Sequence, residues 1–148
     1  MAGLFVNLNN KGASKKIELF YRSKIESAMK MALVECLRQL TISTPVDTGR
    51  ARWGWFVTVG SPSNEIAPEA PKGWNGESSG GTAYFATPDV ASRTNITVSA
   101  DSTSYITNNV PYIVKLNNGS SKQAPARFVE RSAASAQNAV MRYLKSKG

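Results

Sequence analysis

Two stretches of the chain repeat their apolar residues with the period of an α-helix. From about Lys15 to Ile42 apolar side chains, Tyr21 and Ile25 among them, recur at intervals of three and four residues. This predicts one amphipathic helix of about seven turns with Ser14 as its N-cap. A shorter pattern of the same kind predicts a final helix over residues 128–145. We expect the apolar stripes of both helices to contribute to one core.

Apolar and polar residues alternate in three shorter stretches, which predicts β-strands. The first covers residues 51–59 and places Trp53 and Trp55 on the same face. The other two cover residues 94–99 and 103–108, with a short hairpin connection between them. Together the three strands form a small antiparallel sheet in this prediction.

This order of elements indicates an α+β fold, in which a long N-terminal helix and a C-terminal helix pack on a small antiparallel β-sheet. The length fits a single domain over residues 1–148. Residues 1–13 read as an N-terminal arm, and residues 60–82 as a long central loop rich in proline and glycine. Trp74 is costly to leave in water, so we expect this loop to become ordered against another copy or a partner, with free disorder as the alternative.

The stretch Thr44–Val57 connects the long helix to the first strand. Pro45 ends the helix because it has no N–H and forces the preceding residue out of the helical region. Asp47 and Gly49 suit a tight turn, since the carboxylate can accept nearby N–H groups and glycine tolerates positive φ. The sequence therefore predicts a structural corner here.

Two arginines and two tryptophans follow this turn. Trp53 and Trp55 are expected to fill the core, because their shared strand face is the apolar one. Arg50 and Arg52 are left to point toward a partner. Aromatic and basic residues interleaved in this way could also bind nucleic acid by stacking and phosphate contact.

The triplet Asp47-Thr48-Gly49 is the one sequence that resembles a catalytic motif. Retroviral-type aspartic proteases pair two such loops so that two carboxylates share a proton. Here, however, the aspartate follows a helix-ending proline and precedes Arg50, whereas a catalytic aspartate should follow an apolar strand. We interpret the triplet as a turn.

Composition removes the commonest catalytic and metal sites. The chain has no histidine and a single cysteine, Cys36, so Ser-His or Cys-His catalysis and the usual structural zinc sites cannot be built from it. Cys36 lies in the apolar stripe of the long helix, which favours a buried structural thiol. We expect no enzymatic activity, no cofactor and no bound metal.

Charge is distributed unevenly along the chain. The net charge is +8, with +5 in residues 1–60, −3 in residues 61–101 and +6 in residues 102–148. Basic ends are compatible with an acidic protein partner or with nucleic acid. No apolar run reaches the length of a membrane span, so we expect a soluble protein that is made inside the cell and has no membrane partner.

Two blocks of the sequence resemble the signature blocks of a tailed-bacteriophage family of tail-component, tail-completion or neck proteins. Residues 44–53 read Thr-Pro-Val-Asp-Thr-Gly-Arg-Ala-Arg-Trp. Residues 105–127 read Tyr-Ile-Thr-Asn-Asn-Val-Pro-Tyr-Ile-Val-Lys-Leu-Asn-Asn-Gly-Ser-Ser-Lys-Gln-Ala-Pro-Ala-Arg. One departure is Asn117-Asn118-Gly119, where the family more often has an acidic-aromatic pair before the glycine.

The resemblance implies a structural virion protein at the head-to-tail junction, with a tail-terminator-like fold. It implies a homo-oligomeric ring, of six copies, that joins the connector to the tail and lets DNA pass without specific binding. The partners would be connector or adaptor proteins and tail-tube or tail-terminator proteins, and the protein would lie in the host cytoplasm during assembly. The alternative from a different class is a small basic nucleic-acid-binding protein.

A ring protein needs a rigid core together with edges and loops that meet the neighbouring copy. The candidate contacts to another subunit or a partner are Arg50, Arg52, Trp74, Lys122 and Arg127. The acidic middle segment is expected to face the DNA channel, where like charge would let DNA slide. Its candidate residues are Glu65, Glu69 and Glu77.

Overall fold

The α+β class is confirmed by a computed structural model of the chain. The structure describes residues 11–45, 49–67, 69 and 98–147. In that part of the chain a long N-terminal helix and a C-terminal helix accompany a two-stranded antiparallel sheet. The elements in chain order are α1 (Lys11–Ser43), α2 (Arg50–Trp53), β1 (Trp55–Val59), β2 (Ser104–Asn108), α3 (Ile113–Asn117) and α4 (Phe128–Lys147).

Helix α1 is longer at its N-terminus than the sequence pattern predicts. It begins at Lys11, so Ser14 lies inside the helix and its predicted role as N-cap is wrong. Residues 11–13, assigned above to the arm, are also helical. Lysine and alanine are good helix formers and one glycine costs only about 1 kcal/mol, so the helix extends by a turn without an apolar stripe to signal it.

Helix α4 runs antiparallel to the second half of α1. At one end Phe128 joins the core cluster that contains Leu37 of α1. At the other end Lys24 Nζ donates a hydrogen bond of 3.2 Å to the carbonyl oxygen of Lys147, the last residue of α4. Residues 11–23 of α1 therefore extend beyond the end of α4, over about 20 Å at 1.5 Å per residue.

The sheet pairs β1 with β2, and its register places Trp55 opposite Asn108 and Val59 opposite Ser104. The predicted strand over residues 51–59 is wrong in its first half, because residues 50–53 form the helical turn α2. Over a stretch as short as residues 50–53, apolar residues at every second position fit a single helical turn as well as a strand. Of the strand predicted over residues 94–99, the described residues 98 and 99 are not in a strand, and the rest lies outside the described residues.

The core lies where the sheet meets the C-terminal half of α1 and the start of α4. Its fully buried cluster draws on all three elements. Burying side chains of this size contributes about 1.5–3 kcal/mol each, so this cluster is the main source of stability in the described part of the chain. The members are Leu37, Leu40, Trp55, Val57 and Phe128.

Candidate interaction surface

Thr44 is the centre of the corner between α1 and β1. It is fully buried, and its backbone N–H and its hydroxyl both donate to the carbonyl oxygen of Leu40 in the last turn of α1. The same hydroxyl accepts a hydrogen bond of 3.1 Å from Trp55 Nε1. One side chain thus ends the long helix and fixes the first residue of the sheet.

Arg52 contacts the C-terminal end of α1, and its predicted role toward a partner stays a prediction. Its Nε and Nη2 donate to the carbonyl oxygen of Thr44 at 3.1 and 2.9 Å, and Nη2 also donates to that of Ile42 at 3.2 Å. These oxygens stand at the C-terminus of α1, where carbonyl groups lack helical partners and the helix dipole favours a cation. Arg52 therefore caps the helix.

The remaining residues of the predicted turn are in part described. Pro45 is buried after the end of α1. Gly49 has a φ of 83°, a left-handed conformation that favours glycine, and its carbonyl oxygen accepts the first hydrogen bond of α2. Arg50 is half-buried, and its Nε has no hydrogen-bond acceptor among the described residues. Asp47 lies outside the described residues.

Trp53 and Trp55 are both buried, with 2% and 4% of their surface exposed. They do not share a strand face, because Trp53 belongs to α2 and Trp55 to β1. Neither indole is accessible to a nucleic-acid base in this structure.

Two adjacent asparagines at the end of β2 hold the loops that leave the corner. Asn108 Nδ2 donates to the carbonyl oxygen of Ala51 at 2.7 Å, and a Cβ at Gly54 would lie only 2.9 Å from Asn108 Oδ1. Asn109 Nδ2 donates to the carbonyl oxygens of Ser63 and Glu65, both at 2.8 Å. Residues 61–67 are thereby attached to the sheet.

A third asparagine, Asn117, joins α3 to α4. Its Oδ1 accepts from the backbone N–H of Val129 at 2.9 Å, and its Nδ2 donates to Glu130 Oε2 at 2.9 Å. Its carbonyl oxygen accepts from the backbone N–H of Arg127, which has a φ of 64°. Asn117 thus caps the last helix. Sequence reasoning missed all three asparagines, for which their position next to turns was the available signal.

We expect Asn117→Ala to lower the free energy of unfolding by about 1 kcal/mol, because an unsatisfied N–H remains in the first turn of α4. Chemical denaturation followed by circular dichroism measures the change. Asn118→Ala is the matched control, with an expected effect below about 0.5 kcal/mol. Equal losses in both variants would contradict this role for Asn117.

The N-terminal half of α1 presents large apolar side chains to solvent. Phe20 and Tyr21 are 57% and 59% exposed and touch edge to face, with ring centroids 5.7 Å apart. Lys24 Nζ lies 4.7 Å from the centroid of the Phe20 ring. Contiguous apolar surface of this kind marks an interaction site more often than scattered single residues do. The other exposed members in this half are Ile17, Leu19 and Ile25.

A groove opens where this surface meets the end of α4. Its volume is about 410 Å³ and its exposed lining is apolar. On the other side of α4 lies a second cavity of about 590 Å³, which also has polar lining atoms, including those of Lys30 and Glu35. We call the first of these the α1–α4 groove. Its apolar lining residues include Tyr21, Ile25, Ala28, Met29, Val140 and Leu144.

Charged groups along α1 are in part paired. Arg22 contacts Glu18 at 3.2 Å and Asp101 at 2.7 Å. Hydrogen bonds from Arg38, the nearer at 2.8 Å, lower the pKa of Glu35 below its usual value. Partial burial raises the pKa of the Cys36 thiol, which favours its protonated form.

The other residues selected from the sequence are exposed where the structure describes them. Lys122 is exposed, and Arg127 is exposed with its Nε 4.0 Å from Glu130. Glu65 and Glu69 are exposed after β1. Trp74 and Glu77 lie outside the described residues.

Within the described ranges, no three His, Cys, Asp or Glu side chains stand close enough to hold a metal ion. No helix in that part of the chain has the length and hydrophobicity that a membrane span requires.

Comparisons of the chain with models of protein families, with curated proteins and with solved structures find no match.

Proposed function

We propose that this protein is a structural component of a phage virion that forms a ring at the head-to-tail junction. In this role six copies join the connector to the tail, with a tail-terminator-like arrangement of helices and sheet, and DNA passes through the ring. The protein would act by assembly and not by catalysis. Its partners would be other copies of itself and the connector, adaptor, tail-tube or tail-terminator proteins above and below it.

The observation that carries this proposal is the exposed apolar face of α1. Thirteen residues of this helix extend beyond α4, and at least four large apolar side chains in that part are between 45% and 59% exposed. A ring subunit must leave such surface uncovered until its neighbour binds, because each copy uses different surfaces toward its two neighbours. A chain that worked alone would gain stability by covering it.

The two sequence blocks that resemble the tail-completion family support the same role. Residues 44–53 form the corner in which Thr44 and Arg52 end α1, apart from residues 46–48, which are not described. Residues 105–127 contain most of β2, all of α3 and the loop that Asn117 holds. In both blocks some of the polar residues, namely Thr44, Arg52 and Asn117, stabilise turns or helix ends.

The alternative, a small nucleic-acid-binding protein, loses its most specific support. Stacking on Trp53 or Trp55 requires exposed indoles, and both are buried. Arg52 is engaged with backbone carbonyl oxygens of α1 and is not directed to a phosphate. What remains is the net positive charge, which supports only non-specific contact with DNA.

Size-exclusion chromatography with light scattering, with and without duplex DNA at two salt concentrations, distinguishes the two functions. We expect the molar mass at the higher salt concentration to be the same with and without DNA. A stoichiometric DNA complex, with an affinity that falls steeply between the two salt concentrations, would contradict the structural role and favour the alternative.

A further inference from the structure

The α1–α4 groove combines an apolar floor with positive charge around it. Lys24 lines the groove next to Tyr21 and Ile25. Residues 15–30 of α1 and residues 139–147 of α4 each carry a net charge of +3. The apolar floor offers few hydrogen-bond donors to a nucleic-acid backbone. An acidic polypeptide with an apolar side chain matches both the apolar floor and the positive charge around it.

The same chain presents a segment with the complementary chemistry. After β1, Glu65 and Glu69 are exposed on either side of Ile66, which is itself 49% exposed. We call Glu65, Ile66 and Glu69 the acidic segment. Asn109 holds its first residue through the carbonyl oxygen of Glu65, so this end of the segment loses little conformational freedom on binding.

The acidic segment cannot occupy the groove of its own copy while these contacts hold. Ala67 is buried, and the bonds from Asn109 attach the segment to the end of β2. That end of β2 pairs with Trp55, which packs on the C-terminal half of α1. The groove lies along residues 21–32 of α1, beside the last turns of α4 and N-terminal to the core residues Leu37 and Leu40.

We propose that the α1–α4 groove of one copy binds the acidic segment of the next copy. Ile66 would enter the apolar groove, and Glu65 and Glu69 would face the lysines around it. Because the two surfaces differ, the contact is head to tail and closes into a ring when the rotation between copies permits it. This inference rests on the proposed ring, and it assigns Glu65 and Glu69 to the contact between copies and not to a DNA channel.

Charge reversal on each surface tests the contact. We expect Glu65→Lys/Glu69→Lys and, separately, Lys24→Glu/Lys147→Glu to weaken self-association roughly tenfold in sedimentation velocity, since each pair of changes places like charges together. All four changes in one chain restore opposite charges and should return association close to that of the natural protein. Lys115→Glu/Arg131→Glu is the control for the lysine pair, because it makes the same charge change outside the groove.

A photo-crosslinking residue in place of Tyr21 supplies an independent readout at high protein concentration. We expect crosslinks between copies to residues 61–69. Crosslinks only to other regions, no crosslink between copies, or equal association in the single-surface variants and the control would each overturn the proposed contact.

The contact between copies and the role at the head-to-tail junction can fail independently of each other. If electron microscopy finds rings at the junction of virions assembled with the Glu65→Lys/Glu69→Lys protein at the natural level, the contact is wrong and the function stands. If the charge-reversal pattern holds but virions contain no copy at the junction, the contact stands and the function is wrong.

Discussion

Replacing Trp55 with alanine is expected to lower the free energy of unfolding by about 4 kcal/mol, enough to unfold much of the protein at physiological temperature. The indole is 4% exposed and packs with Leu37, Leu40 and Phe128 in the central cluster. Its removal leaves a cavity where α1, β1 and α4 meet and deletes the hydrogen bond to Thr44. Urea denaturation followed by circular dichroism measures the change.

Two further variants show whether the loss comes from this site. Trp55→Phe keeps most of the apolar bulk but removes the Nε1–H donor, so it should cost clearly less than the alanine variant. Phe20→Ala deletes a ring of similar size that is 57% exposed and should change stability by less than about 0.5 kcal/mol. Similar losses for Phe20→Ala and Trp55→Ala would contradict the assignment of Trp55 to the core and of Phe20 to the surface.

Replacing Arg52 with methionine is expected to cost about 3 kcal/mol, the second largest effect. The change keeps the length of the side chain but removes three hydrogen bonds to the carbonyl oxygens of Ile42 and Thr44. Charged hydrogen bonds contribute about 1.5–3 kcal/mol each, and the cation also interacts favourably with the C-terminus of α1. Thermal unfolding at low and high salt measures the loss.

Arg52→Lys tests whether the planar guanidinium is needed. A lysine keeps the charge, but its ammonium group lacks the planar arrangement of donors with which the guanidinium binds two carbonyl oxygens at once. We therefore expect Arg52→Lys to recover only part of the stability that Arg52→Met loses. Full stability in Arg52→Met, together with impaired self-association, would show that Arg52 serves a partner as the sequence alone suggested.

The sequence predicted the elements better than it predicted which of their faces are covered. The 3.6-residue period located α1 and α4 to within a few residues, because helix formation depends on local pattern. The same period assigned Tyr21 and Ile25 to the apolar stripe of α1, although both are exposed. The pattern marks a face as apolar but does not show how far α4 extends along it, which depends on packing between distant segments.

At the corner between α1 and β1, too, local sequence predicted the backbone better than it predicted the contacts of single side chains. Its position followed from Pro45 and Gly49, whose backbone preferences are local. The hydrogen bonds of Arg52 did not follow from such local preferences, because they depend on the carbonyl oxygens that α1 leaves unpaired nearby. The alternating pattern of residues 51–59 suggested that the Arg52 side chain points outward from a strand. In the structure this residue belongs to α2, and its side chain contacts the C-terminal end of α1.

Electron microscopy of virions assembled with and without this protein provides the most direct test of its role. We predict a ring of copies between head and tail in the complete virion, and separate heads and tails when the protein is absent. Complete junctions in particles that lack the protein, or its location elsewhere in the virion, would contradict a structural role at the head-to-tail junction.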